Sequence, residues 1–551
     1  MNINLARTAY NPIIYEVLDF SCGVFDRRCR TIAQADGLPS FLGNLGIAVE
    51  RVLSDIGGAQ ELRPGDMYLI NDPYEQGMHI NDVTTVEPVF DCGEPVAYVA
   101  TRAHWLDIGA VDPGGSITTT DAVQEGLWLR SVRLYREGQL DESVWRLVRH
   151  NIRMPESMMG DLRAQVSASR TGVERVGEIV TRHGIAAVEH AIEEMIRRSE
   201  ERTRAGVRAM RDGVYEVEGA LDDDCRGNGP IPIKVRVTVA GDELEVDLTG
   251  SAPPNVGPVN SPLTSTLCAC RIALKAFANP DVPATEGDFA PLRLVVPEES
   301  MFNARFPAPT FMISNTRVVL VDLLVRALSQ AAPDWAIAGH YGNLFGFTLF
   351  GDDPRTGRLY IHQEPEYGGW GATRERDGES AMIFMTNAGC RVLPAEVLES
   401  RFPLRLERFE LRQDSGGAGR LRGGLGVVRE YRPLKHVARM MVITDRRTVP
   451  PWGMEGGGSA AHCTAFVGAT EVPKAQALPI PADERISLRT GGGGGWGDPF
   501  ERDADAVRRD VAAGYTSVEQ AREAYGVVVD PEALSVDEAG TRRLRASRSG
   551  S

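Results

Sequence analysis

From about residue 64 to 105 the chain alternates apolar and polar positions over short runs. DMYLIND, VTTVEPVF and PVAYVATRA are rich in β-branched and aromatic residues and bounded by turn formers, which predicts three strands. From roughly 140 to 212 the period lengthens: LDESVWRLVRHNIR, MMGDLRAQVSASRTGVERVGEIVTRHG and AAVEHAIEEMIRRSEERTRAGVRAM repeat apolar residues at three and four, as a helical bundle or arm does. Alternation returns in GVYEVEGALDDD and IKVRVTVAGDELEVDLTGS, where Gly-Asp between two runs predicts a hairpin. LTSTLCACRIALKAFA and SNTRVVLVDLLVRALSQAA read as helices. Between about 400 and 500 short strands are interleaved with dense glycine, and in the last fifty residues DADAVRRDVAAG and SVEQAREAYG read as two small helices. The expected class is α+β and multidomain. Its segments are a β-rich region at 1–140, a helical arm at 141–212, an α+β region at 213–400, a glycine-rich β region at 401–500, and helices with a tail at 501–551.

Length and composition narrow the class. A chain of 551 residues exceeds one ordinary core, and 42% apolar with 25% charged residues is the balance of a globular enzyme or binding protein. A net charge of −16 argues against a general nucleic-acid binder, and the basic end TRRLRASRSGS reads as a frayed, solvated tail. Eight cysteines without a Cys-x-x-Cys leave a zinc ribbon unsupported. The N-terminus lacks a signal peptide's apolar core, and the most apolar helix is interrupted by Arg317, Asp322 and Arg326, so no membrane span and a reducing, cytoplasmic location are expected.

NDPYEQGMHINDV, residues 71–83, carries the first candidate chemistry. His79 and Asp82, three apart, would face opposite sides of a regular strand but converge in a turn, which Gly77 makes feasible. The loop DCGE joins the next two strands; if it is centred between Cys92 and Gly93, partners' numbers total about 185, which sets Asp82 opposite Ala103 and brings His104 beside it. Asp72 and Asp107 are near enough in sequence to join. Two imidazoles and a carboxylate suit Mn²⁺, Fe²⁺ or Zn²⁺ with open positions, although a single histidine in a β region is more often structural.

Phosphate-loop, H-E-x-x-H and G-x-S-x-G patterns are missing. The glycines Gly491–Gly495, with Trp496, Gly497 and Asp498 after them, form either an anion-binding backbone or a tightly packed loop. EPEYGGWGATRERDGES, at 364–380, reads first as a solvated loop around an exposed Trp370 and second as a pocket wall. Asn151, Arg153, Asp161 and Gln165 are accounted for by helix capping and helix-face ion pairs.

The succession GDMYLINDPYEQGMHINDV, ATRAHWLDIGAVDPGGS, EGLWLRSVRLY, NIRMPESMMGDLRAQVSA, DLTGSAPPNVGPVN, GRLRGGLGVVREY and LRTGGGGGWGDP resembles the hydantoinase B/oxoprolinase family, which includes N-methylhydantoinase B-type subunits and related ketone carboxylase subunits. The resemblance runs from about residue 10 to 530. It implies a hydantoinase A-type partner that binds ATP, hence a hetero-oligomer acting on a small molecule. It also implies a divalent metal at His79, Asp82 and His104. Where the family often has Gly-Gly-Thr-His this chain has Gln76, Gly77, Met78 and His79; a His-His pair is His104 and Trp105; and a Pro-x-His-Leu-Gly motif appears as LPSFLG, with Ser40 and Phe41. The triad is kept while its neighbours change, so the substrate pocket is expected to differ.

The activity so implied is ATP-dependent hydrolysis of a cyclic amide. The partner phosphorylates the amide oxygen, the metal activates water, and Asp107 or Asp72 orients ligands or water. The alternative is a subunit of a ketone carboxylase of acetone or acetophenone type. A silent scaffold for the partner and a stand-alone metallohydrolase are lesser readings.

Overall fold

The computed structural model describes residues 1–548. Its N-terminal region is one antiparallel sheet of seven strands: β1 (Phe20–Asp26), β2 (Thr31–Gln34), β3 (Met67–Ile70), β4 (Asp82–Asp91), β5 (Glu94–His104), β6 (Val132–Arg136) and β7 (Gln139–Leu140). They lie in the order β2-β1-β5-β4-β3-β6-β7. The three strands expected from alternation are β3, β4 and β5. Strand β1, unread in the sequence, runs along the other edge of β5 and pairs Phe20 with Ala103.

Helix α1 (Leu45–Ile56) covers one face of this sheet, packing Leu45, Ala48, Val49 and Val52 on Tyr68, Val86 and Ala100. Helix α2 (Pro155–His183) covers the other, and α3 (Ile185–Arg208) follows it after Gly184. The arm is therefore an arm only in part. The first half of α2 is buried, and its polar residues are tertiary contacts, not the helix-face ion pairs expected. Asp161 accepts from the Tyr10 and Asn11 backbone at 2.7 and 3.2 Å, and Gln165 accepts from Trp105 Nε1 at 2.9 Å.

Glu87 of β4 faces α2, buried, with one carboxylate oxygen lacking a hydrogen-bond partner. Burial pushes its pKa up to about 7, with Arg170 opposing. Folding thus favours the neutral acid. That contribution is whole below the unfolded carboxylate's pKa and is lost as pH rises through 7. Glu87→Gln is expected to keep it, so the variant's melting temperature, relative to wild type, rises between pH 5 and 8.

A second sheet contains β8 (Gly213–Leu221), β9 (Ile231–Ala240), β10 (Glu243–Asp247) and β11 (Leu292–Val295), in the order β11-β10-β9-β8. The expected hairpin turn falls at Gly241, whose φ of 63° favours glycine. Helices α4 (Leu263–Ala278) and α5 (Ile313–Ala331) pack on this sheet, and α5 is buried along nearly its whole length.

The remaining strands form two sheets. In one, β12 (Gly346–Asp352) lies between β13 (Leu359–Pro365) and Ala438–Ile443, with Ala475–Ile480 beyond; the other has Leu404–Leu411, Val427–Pro433, Ile486–Arg489, Thr464–Val467 and Thr470–Val472. A single apolar core joins residues between Leu5 and Ala168 to residues between Tyr341 and Leu488, across the segment boundaries expected at 140 and 400.

The glycine run does not form an anion site. Gly493 N donates to Gly424 O at 2.9 Å, Gly494 N to Gly339 O at 2.7 Å and Gly495 N to Gly458 O at 3.0 Å, while Gly491 N points at Cys463 Sγ, 3.1 Å away. The run is a central strand of backbone wrapped by other backbone. The first part of the 364–380 segment is buried as well. Glu364 and Glu366 pair with Arg429, and Trp370 Nε1 donates to Ile383 O at 2.8 Å. Only from Thr373 to Ser380 does the segment resemble the solvated loop expected.

Near the C-terminus the two small helices are Ala504–Ala512 and Val518–Tyr525. A third, Glu538–Arg548, takes the place of most of the expected tail, with Arg545 donating to the Arg502 carbonyl at 2.7 Å. Residues 549–551 lie outside the described part. Among the described residues no helix is long and apolar enough to cross a membrane.

Candidate metal centre

The hairpin of β4 and β5 has the expected turn, with Asp91 opposite Glu94 and Phe90 opposite Pro95. One step further the register shifts: Val89 pairs with Ala97, which leaves Val96 as the extra residue of a β-bulge. Every later pair is displaced by one, so Asp82 faces His104 and not Ala103. The correction matters because directly opposed residues share a face of the sheet and a one-residue slip reverses it. In the register expected from the loop, His104 would have pointed toward α2. With the bulge it stands with Asp82, Thr84 and Arg102 on the α1 side.

His79 reaches the same point from outside the sheet. Asp72 caps the short helix Pro73–Gln76, Gly77 ends it at a φ of 73°, and Asp82 N donates to His79 O at 3.0 Å to close the turn into β4. A Cβ on Gly77 would lie 2.7 Å from the Ser265 backbone nitrogen, so both conformation and space require glycine.

The donor atoms of His79, Asp82 and His104 all lie within 4.8 Å of one another. Each Asp82 oxygen sits 3.1 Å from an imidazole Nδ1, Oδ2 from His79 and Oδ1 from His104. The His79 contact lacks hydrogen-bond alignment, and His79 Nδ1 and Asp82 Oδ2 are both buried without a hydrogen-bond partner. Desolvated lone pairs aimed at a common point are costly unless something fills that point. The set therefore fits one divalent cation.

Burial holds the His79 imidazole down at about 4, so it stays neutral and keeps a lone pair. Burial acts on His104 in the same sense, but its hydrogen bond to Asp82 and the charge of Asp19 outweigh it and raise the pKa to about 9. His104 Nε2 lies 3.0 Å from Gln363 Oε1 on β13, an acceptor that holds a proton at Nε2 and leaves Nδ1 toward Asp82.

Asp72 and Asp107 do not reach the cluster. Asp72 accepts from Tyr74 N at 2.9 Å and pairs with Arg130 at 3.2 Å. Asp107 uses both oxygens on Arg153, at 2.5 Å to its backbone nitrogen and 2.8 Å to its guanidinium. The carboxylate that does face the cluster is Asp19, one residue before β1. Its backbone oxygen accepts from His104 N at 3.1 Å, its Oδ1 has no hydrogen-bond partner, and burial raises its pKa to about 7. FSCGVFDRRCRTIAQ, two short β-rich runs around Arg-Arg, was the signal that could have placed β1, and Asp19 with it, beside β5.

Asp19, His79 and His104 share a cavity of about 60 Å³ with Phe41, Arg317 and Gln363. A larger cavity of about 520 Å³ lies beyond the short helix Pro39–Leu42 and the turn Met385–Asn387, which wall both spaces. Ser40 Oγ donates to Asn387 Oδ1 at 3.3 Å and ties the two parts of the wall.

The Hydantoinase B/oxoprolinase family model matches residues 1–499. The chain belongs to the hydantoinase B/oxoprolinase family. Within this family, the caprolactamase subunit beta of Pseudomonas jessenii is 31% identical over 99% of this chain and 96% of its own. A 5-oxoprolinase of Pestalotiopsis fici is 30% identical over 93% of this chain, which spans 41% of that longer protein. The crystal structure of the ATP-dependent caprolactamase from P. jessenii superposes with a TM-score of 0.91 at 30% identity, covering 99% of this chain and 96% of that one. A nucleotide-free acetone carboxylase shares the fold, with a TM-score of 0.92 at 20% identity over 100% of this chain and 80% of that one.

Proposed function

We propose that this chain is the ring-opening subunit of an ATP-dependent cyclic-amide hydrolase and works with a hydantoinase A-type partner that binds ATP. The observation that carries the reading is the buried, converging set of His79, Asp82 and His104. Its support from kinship is that relatives near 30% identity are named for a lactam and for 5-oxoproline, both ring amides.

Manganese, zinc or iron would be held by His79 Nδ1, Asp82 and His104 Nδ1, with Asp19 offering a second carboxylate from the cavity wall. When bound, such a cation supplies Lewis acidity toward a carbonyl and lowers the pKa of water. The protein's own part is preorganisation. Neutral His79 keeps a lone pair available, Asp82 spans both imidazoles, and Gln363 holds the His104 ring in one orientation. The apolar wall of Ile13, Phe41, Met78 and Phe347 keeps bulk water from the reacting carbon. Water adds at the carbon of the phosphorylated amide, the ring C–N bond breaks with its electron pair going to nitrogen, which takes up a proton, and a second water cleaves the acyl phosphate so formed to carboxylate and inorganic phosphate. Phosphorylation of the amide oxygen belongs to the partner.

The test is ADP release by this chain copurified with its A-type partner, challenged with cyclic amides and, separately, with ketones plus bicarbonate. Turnover with cyclic amides alone, lost in His104→Ala, is expected. Turnover only with ketone and bicarbonate would assign the cluster to carboxylation instead.

The cavity is far below the ~300 Å³ at which pockets for drug-sized ligands begin, so ring size is set by its wall. Phe41→Leu is expected to raise kcat/KM for larger rings over smaller ones by about tenfold, the scale of one or two methylenes in a hydrophobic pocket. A panel of lactams of increasing ring size measures it.

A further inference from the structure

Buried arginines normally pair with carboxylates, and four of the six among the described residues do, Arg422, Arg429, Arg446 and Arg502. Arg429 meets Glu364 and Glu366 at 2.9 and 3.3 Å, and Arg446 meets Asp322. Arg317, on α5, does not. It is 1% exposed, and its contacts are all to neutral acceptors: Gly77 O at 3.5 Å, Met78 Sδ at 3.1 Å, Ser265 Oγ at 3.3 Å and Ser314 Oγ at 3.2 Å. Its Nε has no hydrogen-bond partner. The side chain lines the same cavity as His79 and His104.

Around the cavity the buried anions are Asp19, Asp82 and the pair Glu364 and Glu366, which share Arg429, and the other buried cations are Arg317 and Arg102. Arg102 is likewise served by neutral acceptors, among them Thr84 Oγ1 at 2.8 Å and Asn44 Oδ1 at 2.5 Å. The carboxylates outnumber the guanidiniums by one at most. A divalent cation on Asp82 would then leave the cavity with about one net positive charge, and a buried site in that state selects an anion.

We infer that Arg317 is the anchor for a dianionic phosphoryl group on the ligand that enters this cavity. The site thereby takes the phosphorylated ring amide or its released phosphate in preference to the neutral ring. This rests on the proposed reading of His79, Asp82 and His104 as a metal centre, and deepens it. A guanidinium whose Nε is free and whose other bonds go to neutral acceptors has donors to offer two phosphoryl oxygens at once.

The experiment uses the full chain, with metal content measured separately on each sample, and titrates methylphosphonate and the neutral lactam 2-pyrrolidinone by calorimetry. Arg317→Met is expected to weaken methylphosphonate binding by about tenfold or more, the loss of one charge-assisted hydrogen bond. Lactam affinity and metal content should stay unchanged. The ligand-free variant should melt no lower than wild type, because methionine removes an uncompensated buried charge. Arg317→Lys, which keeps the charge but not the fork, should fall between. Equal methylphosphonate affinity in wild type and Arg317→Met overturns the inference, as does failure of the wild-type chain to bind it. A wild-type chain that takes up no metal overturns the metal-centre reading alone, provided methylphosphonate still binds and still depends on Arg317.

Discussion

Asp82→Ala is expected to abolish ring opening while the chain stays folded. The carboxylate spans both imidazoles at 3.1 Å, so its loss removes a ligand and the element that holds the other two in register. A fall of at least about a thousandfold in kcat is expected, ~4 kcal/mol of transition-state stabilisation. The fold should tolerate the change, because Asp82 Oδ2 is a buried acceptor without a hydrogen-bond partner, and deleting such an atom relieves as much as it costs. Metal content at background, with a melting temperature within a few degrees of wild type, is the expected pair of measurements. A collapse in melting temperature would make Asp82 structural.

Gly493→Ala should do the reverse and destroy the fold without touching the cluster. A Cβ there would fall 1.9 Å from the Trp370 carbonyl oxygen and 2.5 Å from the Gly371 nitrogen. Those are backbone atoms of a segment that is itself pinned, since Gly369 N donates to Gly491 O at 3.1 Å and Ala372 N to Gly494 O at 2.9 Å. Overpacking against side chains costs about 1–3 kcal/mol because they can rotate away. Backbone cannot, so the loss should exceed that range and appear as insoluble protein or a melting temperature lower by more than 10 °C, on the order expected for several kcal/mol. Gly177→Ala is the control. It lies within α2 with nothing inside 4 Å of its would-be Cβ, and should stabilise by about 0.5–1 kcal/mol.

Local pattern carried the sequence reading as far as local pattern reaches. Alternation marked β3, β4 and β5, the three-and-four spacing marked α2 to α5, and turn chemistry placed the loops at Cys92-Gly93 and Gly241-Asp242. His79, Asp82 and His104 were legible because one hairpin and one turn bring them together. Arg317 and Gln363 were not, because each arrives from a segment whose approach is decided by packing of the whole molecule, and Asp19 was missed with the unread strand β1. Asp72 and Asp107 misled for the complementary reason. They are close in sequence, but Arg130 and Arg153 had already claimed them. The glycine run was ambiguous because one composition serves a bare phosphate loop and a crowded backbone crossing, and only the neighbouring segments distinguish them.

The bulge at Val96 makes the cluster sensitive to chain length in an uneven way. Loss of Val96 itself would regularise the hairpin and leave Asp82 opposite His104. Loss of any one residue between Ala97 and Ala103 with the bulge kept would bring Trp105 opposite Asp82 and turn the imidazole to the far side of the sheet. In a comparison of related chains, a gap at the first place is silent. A gap a few positions later, in a chain that keeps the bulge, marks a protein that retains every histidine and has lost the centre.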